Sequence, residues 1–206
     1  MNVVLINGSP NPKGCTYTAL SEVARELEKQ GVESRIEHIG VSPIRGCAAC
    51  RQCAKLGRCA FDDAVNRLAD VCAQADGLVF GSPVYYAGVS GQMKSFLDRL
   101  FFAHGARLAY KPAAAVVSAR RGGCATAFDD MNKYFTINRM PVASSQYWNQ
   151  VHGNTPQEVL QDEEGLQIMR SLAQGMAWLI RCIELGKRSG VVAPTPEPAV
   201  RTNFIR

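Results

Sequence analysis

The chain has 206 residues, 47% of them hydrophobic and 20% charged, which is ordinary for a globular protein and long enough for one full core. A net charge of +5 is mild and the basic residues are scattered, which argues against a nucleic-acid partner. No apolar run reaches transmembrane length and no basic leader precedes the first strand, so neither a membrane partner nor a signal peptide is expected. Eight cysteines in such a chain then point to thiols or metal ligands in a reducing compartment, the cytoplasm.

Asn2-Val-Val-Leu-Ile6 is a short apolar run that reads as a buried parallel strand. It ends at Gly8-Ser-Pro-Asn-Pro-Lys-Gly14, where two prolines and two glycines in seven residues forbid strand and helix alike. Cys15 or Thr16 starts a helix whose stripe is Leu20, Val23, Ala24 and Leu27, with Gly31 as its stop. Strand, glycine loop and helix start together aim free N–H groups and a helix dipole at one spot, which suits an anion. The loop is not a Walker A motif, since Lys13 precedes Gly14, and it is not Gly-x-Gly-x-x-Gly. Ser9, Thr16 and Thr18 add hydroxyls, a set that suits a single phosphate monoester such as that of FMN. The alternative is an ordinary β–α loop without a ligand.

A second strand is expected over Val32–Ile39, with His38 at its end as a surface or packing residue. The pattern then changes. Cys47, Cys50, Cys53 and Cys59 fall within thirteen residues as C-x2-C-x2-C-x5-C. Zinc sites usually use two separated knuckles, whereas C-x2-C-x2-C opens the ferredoxin run that wraps three corners of a [4Fe–4S] cluster. Cys59 is near enough to supply the fourth corner, and Arg51, Lys55 and Arg58 would offset a cluster's negative charge. Free thiols packed near a cofactor are the other reading.

Asp62-Asp63 caps a helix over Ala64–Gln74, with Val65, Leu68, Ala69 and Cys72 inward, so Cys72 reads as core. A third strand, Leu78–Phe80, runs into Gly81-Ser-Pro-Val-Tyr-Tyr-Ala-Gly-Val-Ser-Gly91. Tyr85 and Tyr86, at the carboxyl end of a central strand, are placed to meet a flat ring. A helix over Gln92–Ala103 follows, then a fourth strand over Ala113–Ser118. It exits through Ala119-Arg-Arg-Gly-Gly-Cys124, where Arg120 or Arg121 could stabilise an anionic reduced flavin by Coulomb attraction. A fifth strand is expected near Met140–Ala143. One last helix is expected from Thr155 as N-cap, with Pro156 at its first position, Glu158 closing a capping box, and an end at Gly186. The proline-rich residues after Ser189 would wrap the surface or a partner subunit. His38, His104 and His152 do not cluster, and no serine nucleophile or His-Glu metal motif is present, so no catalytic side chain is expected. His152 has either a structural role or a place in a site shared with a neighbouring subunit.

Five strand–helix alternations predict a doubly wound α/β sheet of five parallel strands in the order 2-1-3-4-5, with its ligand at the carboxyl ends. The expected organisation is one domain over 1–206, with a cysteine-rich insertion at 46–60 and a C-terminal helix and tail at 155–206.

Gly8-Ser-Pro with Gly14-Cys-Thr16, the cysteine run, Gly81-Ser-Pro-Val-Tyr-Tyr86 and Ala119-Arg-Arg-Gly-Gly123 together resemble one branch of the flavodoxin-like superfamily. That branch holds the NADPH-dependent FMN reductases and the iron–sulfur flavoproteins. The resemblance implies non-covalent FMN, with phosphate contacts from Ser9, Gly14, Cys15, Thr16 and Thr18. It implies ring contacts from Pro83, Val84, Tyr85 and Tyr86, and pyrimidine-edge contacts from Ala119, Arg120, Arg121, Gly122 and Gly123. It also implies a homodimer or homotetramer. Three functions follow. The first is an NAD(P)H-dependent FMN oxidoreductase passing electrons to a flavin, quinone or similar small acceptor. The second is an iron–sulfur flavoprotein carrying electrons for ferredoxin, with a [4Fe–4S] cluster on Cys47, Cys50, Cys53 and Cys59. The third is a non-catalytic module with structural zinc. The first is preferred, because FMN binding follows from the loops alone.

Overall fold

A computed structural model describes residues 1–202 and residue 204. Five parallel strands run in the order β2-β1-β3-β5-β6: β1 (Asn2–Asn7), β2 (Glu33–His38), β3 (Gly77–Tyr85), β5 (Ala113–Ala119) and β6 (Gln150–His152). A two-residue strand, β4 (Gly88–Val89), folds back antiparallel on β3 as the sixth. The doubly wound α/β architecture is therefore as expected, and with the β4 hairpin set aside the parallel order is 2-1-3-4-5.

Both faces of the central strands are buried, which is why β1, β3 and β5 read as near-continuous apolar runs. One face packs on α1 (Cys15–Lys29) and α7 (Glu163–Arg188), through Leu20, Val23 and Leu27 against Leu172 and Met176. The other packs on α3 (Ala64–Gln74), α4 (Gly91–His104) and α5 (Cys124–Ile137), around Phe80, Phe96 and Phe135. Cys72 is fully buried in that layer, and burial pushes its thiol up to about 12.

Two local expectations are corrected. The last strand lies at Gln150–His152, not Met140–Ala143. Val142 makes only one bridge, because its neighbours Pro141 and Ala143 spend their backbone groups on Ala113 alone. The last helix is two helices, α6 (Pro156–Val159) and α7. Thr155 caps α6 through Glu158 N–H as expected, but Asp162 caps a fresh start by accepting from Gly165 N–H at 2.9 Å. The cysteine run carries a short helix of its own, α2 (Cys53–Leu56), closed by Gly57 at φ +67°. Beyond α7 the described residues lie outside helix and strand and are exposed, touching the body where Tyr110 donates to the Pro194 carbonyl at 3.1 Å. No helix among the described residues is long and apolar enough to cross a membrane.

Candidate functional site

The β1–α1 loop is held from within. Asn7 is fully buried; its Oδ1 accepts from Ser9 N–H at 3.1 Å and its Nδ2 donates to the Pro12 carbonyl at 3.1 Å. His38 accepts from Gly40 N–H on Nδ1 at 3.1 Å, so its Nε2 carries the proton and donates to the Ser9 carbonyl at 2.7 Å. Gly14 is the N-cap of α1, no side chain caps the helix, and its first turn holds no acid. The N–H groups of Cys15, Thr16 and Tyr17 thus face the loop at the positive end of the dipole, which is an anion site made of backbone.

The three hydroxyls are less free than their sequence suggests. Thr16 is buried, with its Oγ1 2.8 Å from Ser118 Oγ, so it ties α1 to β5. Thr18 donates to the Gly14 carbonyl at 3.3 Å. Ser9 Oγ accepts from Asn11 N–H at 3.1 Å and keeps its own proton to donate. Lys13 lies over the Tyr17 ring at 3.7 Å and supplies the one cation of the loop.

Strand pairing brings the other two loops to the same edge. Asn7 registers with Gly81, and Pro83 registers with Ser118. Gly8 N–H donates to the Gly81 carbonyl at 2.8 Å, and Ser90 Oγ donates to the Gly8 carbonyl at 2.8 Å. A side chain at Gly81 would put its Cβ 2.9 Å from Thr16 and Leu20, which explains the glycine. Val84 and Tyr85 pair with Val89 and Gly88 around a turn whose central residues are Tyr86 and Ala87, at φ +50° and +59°. Turns of this hand normally use Asn-Gly, and two non-glycine residues there store strain of about 1–3 kcal/mol each. The result is a fully exposed Tyr86 ring and a half-exposed Tyr85 at the strand end. Gly123, at φ +93°, seats the arginine loop against this turn; a Cβ there would lie 2.8 Å from Ala87 Cα. Ala119 is buried, while Arg120, Arg121 and Gly122 are exposed beside the turn. Behind them Gly153 N–H donates to the Ala119 carbonyl at 3.0 Å, and Cys15 Sγ lies 3.6 Å from the Gly153 carbonyl. A backbone anion site, an aromatic turn and two exposed guanidinium groups lie at one edge of the sheet, a set whose chemistry suits a phosphate-tailed flat ring.

The four-cysteine run forms a separate pocket. Cys47, Cys50, Cys53 and Cys59 line it together with Phe61, Arg99 and Phe102. The chain curls around it through Ala49 at φ +50° and Arg51 at φ +56°, on either side of Cys50. All eight cysteines are unpaired thiols. Among the described residues no three Cys, His, Asp or Glu side chains converge on a single-ion site. A zinc ion needs sulfurs at about 2.3 Å from one centre; four cysteines lining one pocket are also the donor set that a cluster held at several corners takes.

Two side chains at this pocket stand out from the sequence reading. Arg99 is 1% exposed, and its Nε and Nη nitrogens make five hydrogen bonds, to Cys59 Sγ, the Arg45 and Phe61 carbonyls and both Asp63 oxygens. Asn66 holds Cys59 at both backbone groups, donating to its carbonyl at 2.9 Å and accepting from its N–H at 3.0 Å. Spacing offered a signal for both Arg99 and His104, which contacts Asn66: they follow Phe96 by three residues and Leu100 by four, on or beside the buried stripe of α4. Asn7 and His38, at strand ends, carried no such signal.

The family described as NADPH-dependent FMN reductase matches residues 1–155. Over 192 residues the chain is 30% identical to an iron–sulfur flavoprotein of Methanocaldococcus jannaschii, covering 89% of this chain and 100% of that one. It is 33% identical over 101 residues to an NADPH FMN reductase of Pseudomonas putida, covering 48% of this chain and 47% of that one. A WrbA-like flavodoxin of Agrobacterium tumefaciens, 16% identical, shares the fold with a TM-score of 0.62 over 88% of this chain and 98% of that one. The strand order of this chain, its three loops at one sheet edge and the family match over residues 1–155 agree: the chain is an oxidoreductase that belongs to the NADPH-dependent FMN reductase family.

Proposed function

We propose that this protein binds FMN across the carboxyl edge of β1, β3 and β5 and a [4Fe–4S] cluster on Cys47, Cys50, Cys53 and Cys59, and moves electrons between a reduced donor and an acceptor. The observation that carries the cluster is the single pocket lined by all four cysteines and one buried guanidinium. FMN, when bound, supplies hydride acceptance and electron release; a cluster supplies one-electron exchange. The chain does the rest. N–H groups of Cys15 and Thr16, with the Ser9 hydroxyl, hold the phosphate. Pro83, Val84, Tyr85 and Tyr86 bed the ring. Ala119, Gly122 and Gly123 meet its pyrimidine edge, with Arg120 and Arg121 adding positive charge there. Gly14 and Thr18 shape the helix start beside the phosphate, Thr18 Oγ1 donating to the Gly14 carbonyl.

Arg99 donating to Cys59 Sγ at 3.2 Å favours the iron–sulfur flavoprotein over the plain reductase. Exposed Arg45, Arg51, Lys55 and Arg58 around exposed Leu56 and Phe102 would suit an acidic redox protein such as ferredoxin. The second reading, a nicotinamide-fed FMN reductase with free thiols and a small-molecule acceptor, is favoured by the exposed Tyr85–Tyr86 turn, which leaves the ring site open to solvent. An oligomer in the cytoplasm is compatible with both.

The test is the visible spectrum of anaerobically purified protein before and after NADPH. A broad cluster band over the flavin, with slow bleaching, supports the proposal. Rapid flavin bleaching with no cluster band supports the reductase. A colourless protein that takes up no added FMN overturns both.

A further inference from the structure

We propose that Arg99 is a positioning residue that raises the electron affinity of the group held by the four cysteines, acting through Cys59. This rests on the [4Fe–4S] reading of the pocket.

A guanidinium at 1% exposure needs partners for every donor, and Arg99 has them. Four of its five bonds have a structural purpose. The pair to Asp63, at 2.5 and 3.0 Å, joins α4 to the N-cap of α3, since Asp63 also accepts from Val65 N–H at 3.0 Å. Bonds to the Arg45 and Phe61 carbonyls, at 3.2 and 2.8 Å, fix the two ends of the cysteine loop. The fifth does none of this. Nε donates to Cys59 Sγ at 3.2 Å, and a neutral thiol is a poor acceptor for a buried cation. A metal-bound thiolate is an anion and makes that bond charge-assisted.

Cys59 is also the best-anchored of the four. Asn66 grips its N–H and its carbonyl, and Asn66 Oδ1 receives a further bond from His104 Nε2 at 3.2 Å. Cys47 and Cys50 are exposed. Cys59 therefore stands as a preformed corner toward which the looser thiols close. An N–H···S bond and a buried positive charge both favour the more negative, reduced state of a cluster. Asp63 works against that charge from the far side of the guanidinium.

The opposed charges give a test that structure alone cannot mimic. Full-length protein is reconstituted with iron and sulfide without oxygen, and its midpoint potential is read by electron paramagnetic resonance. Iron per chain is counted in parallel. Arg99→Gln is expected to keep iron and shift the midpoint negative. Arg99→Lys keeps charge without the Nε donor and should shift less. Asp63→Asn should shift it positive. If Arg99→Gln does not fold, the Lys variant decides by the same sign. An unmoved midpoint in the Arg99 variants, or the same sign for Arg99→Gln and Asp63→Asn, overturns the inference while leaving the cluster intact. Wild-type protein that takes up no iron overturns the cluster reading and the inference with it.

Discussion

The flavin edge and the cysteine pocket are built from different materials. The edge is mostly backbone: helix N–H groups, carbonyl–amide links between strand ends, and glycines that let β1, β3 and β5 loops touch. The pocket is mostly side chain: four thiols, one guanidinium with all its donors used, and an amide clamping one cysteine. Helix α4 joins the two. Its N-cap Ser90 donates to the Gly8 carbonyl at the edge, and Arg99 lies nine residues further on, about 13 Å down the axis. A backbone site tolerates changes of side chain except where a Cβ has no room. A side-chain site fails when a ligating thiol is lost.

That contrast can be broken by variants that remove one centre and spare the other. Cys53→Ser should abolish iron binding almost completely and leave FMN affinity unchanged, measured by iron content and flavin titration. Gly123→Ala should do the reverse. Its Cβ meets Ala87 Cα at 2.8 Å and its φ of +93° is costly for alanine, so FMN affinity should fall at least tenfold with iron retained. If either variant loses both groups together, the two regions are one cooperative unit.

Stability should show the same division. Asp63→Ala strips the partner from a buried guanidinium and the cap from α3. The expected cost is about 2–3 kcal/mol, below the value for a fully buried pair because 32% of the Asp63 side chain is exposed. That is a fall of roughly 4–12 °C in Tm for a chain of this size, read by calorimetry. His104 gives a smaller effect. Burial holds its imidazole below its usual value, with the Arg107 charge adding to this and Asp70 opposing it. The unfolded chain then takes up the proton first. Stability should be full above about pH 6.5 and decline as the pH falls below it, and His104→Gln should flatten that decline. Smallest of all, Arg120→Ala with Arg121→Ala should weaken FMN by less than about 1 kcal/mol at low salt and by nothing measurable at high salt, since both groups face water.

The sheet was legible because its central strands are buried on both faces and its loops carry glycine and proline at strand ends. The helix over Ala64–Gln74 was read with its cap narrowed to Asp62-Asp63, of which Asp63 is the one, since an acid before an apolar stripe has a local cause. What escaped notice depends on distant partners. The β4 hairpin has Tyr86-Ala87 where a turn of that hand wants glycine, and Gly123 across the edge leaves it room. The break before α7 depends on Asp162, which also accepts from His152 N–H at 2.6 Å. The cysteine spacing announced the pocket, but Arg99 stands 40 residues from Cys59, and only packing of α4 on α3 unites them.

The central claim is that one chain holds two redox centres at separate sites. Its most direct test is the count of FMN and iron per chain in protein purified without oxygen. The account predicts about one FMN and about four iron, with the iron lost and the flavin kept in Cys53→Ser. One FMN with no iron, before and after reconstitution, would contradict it.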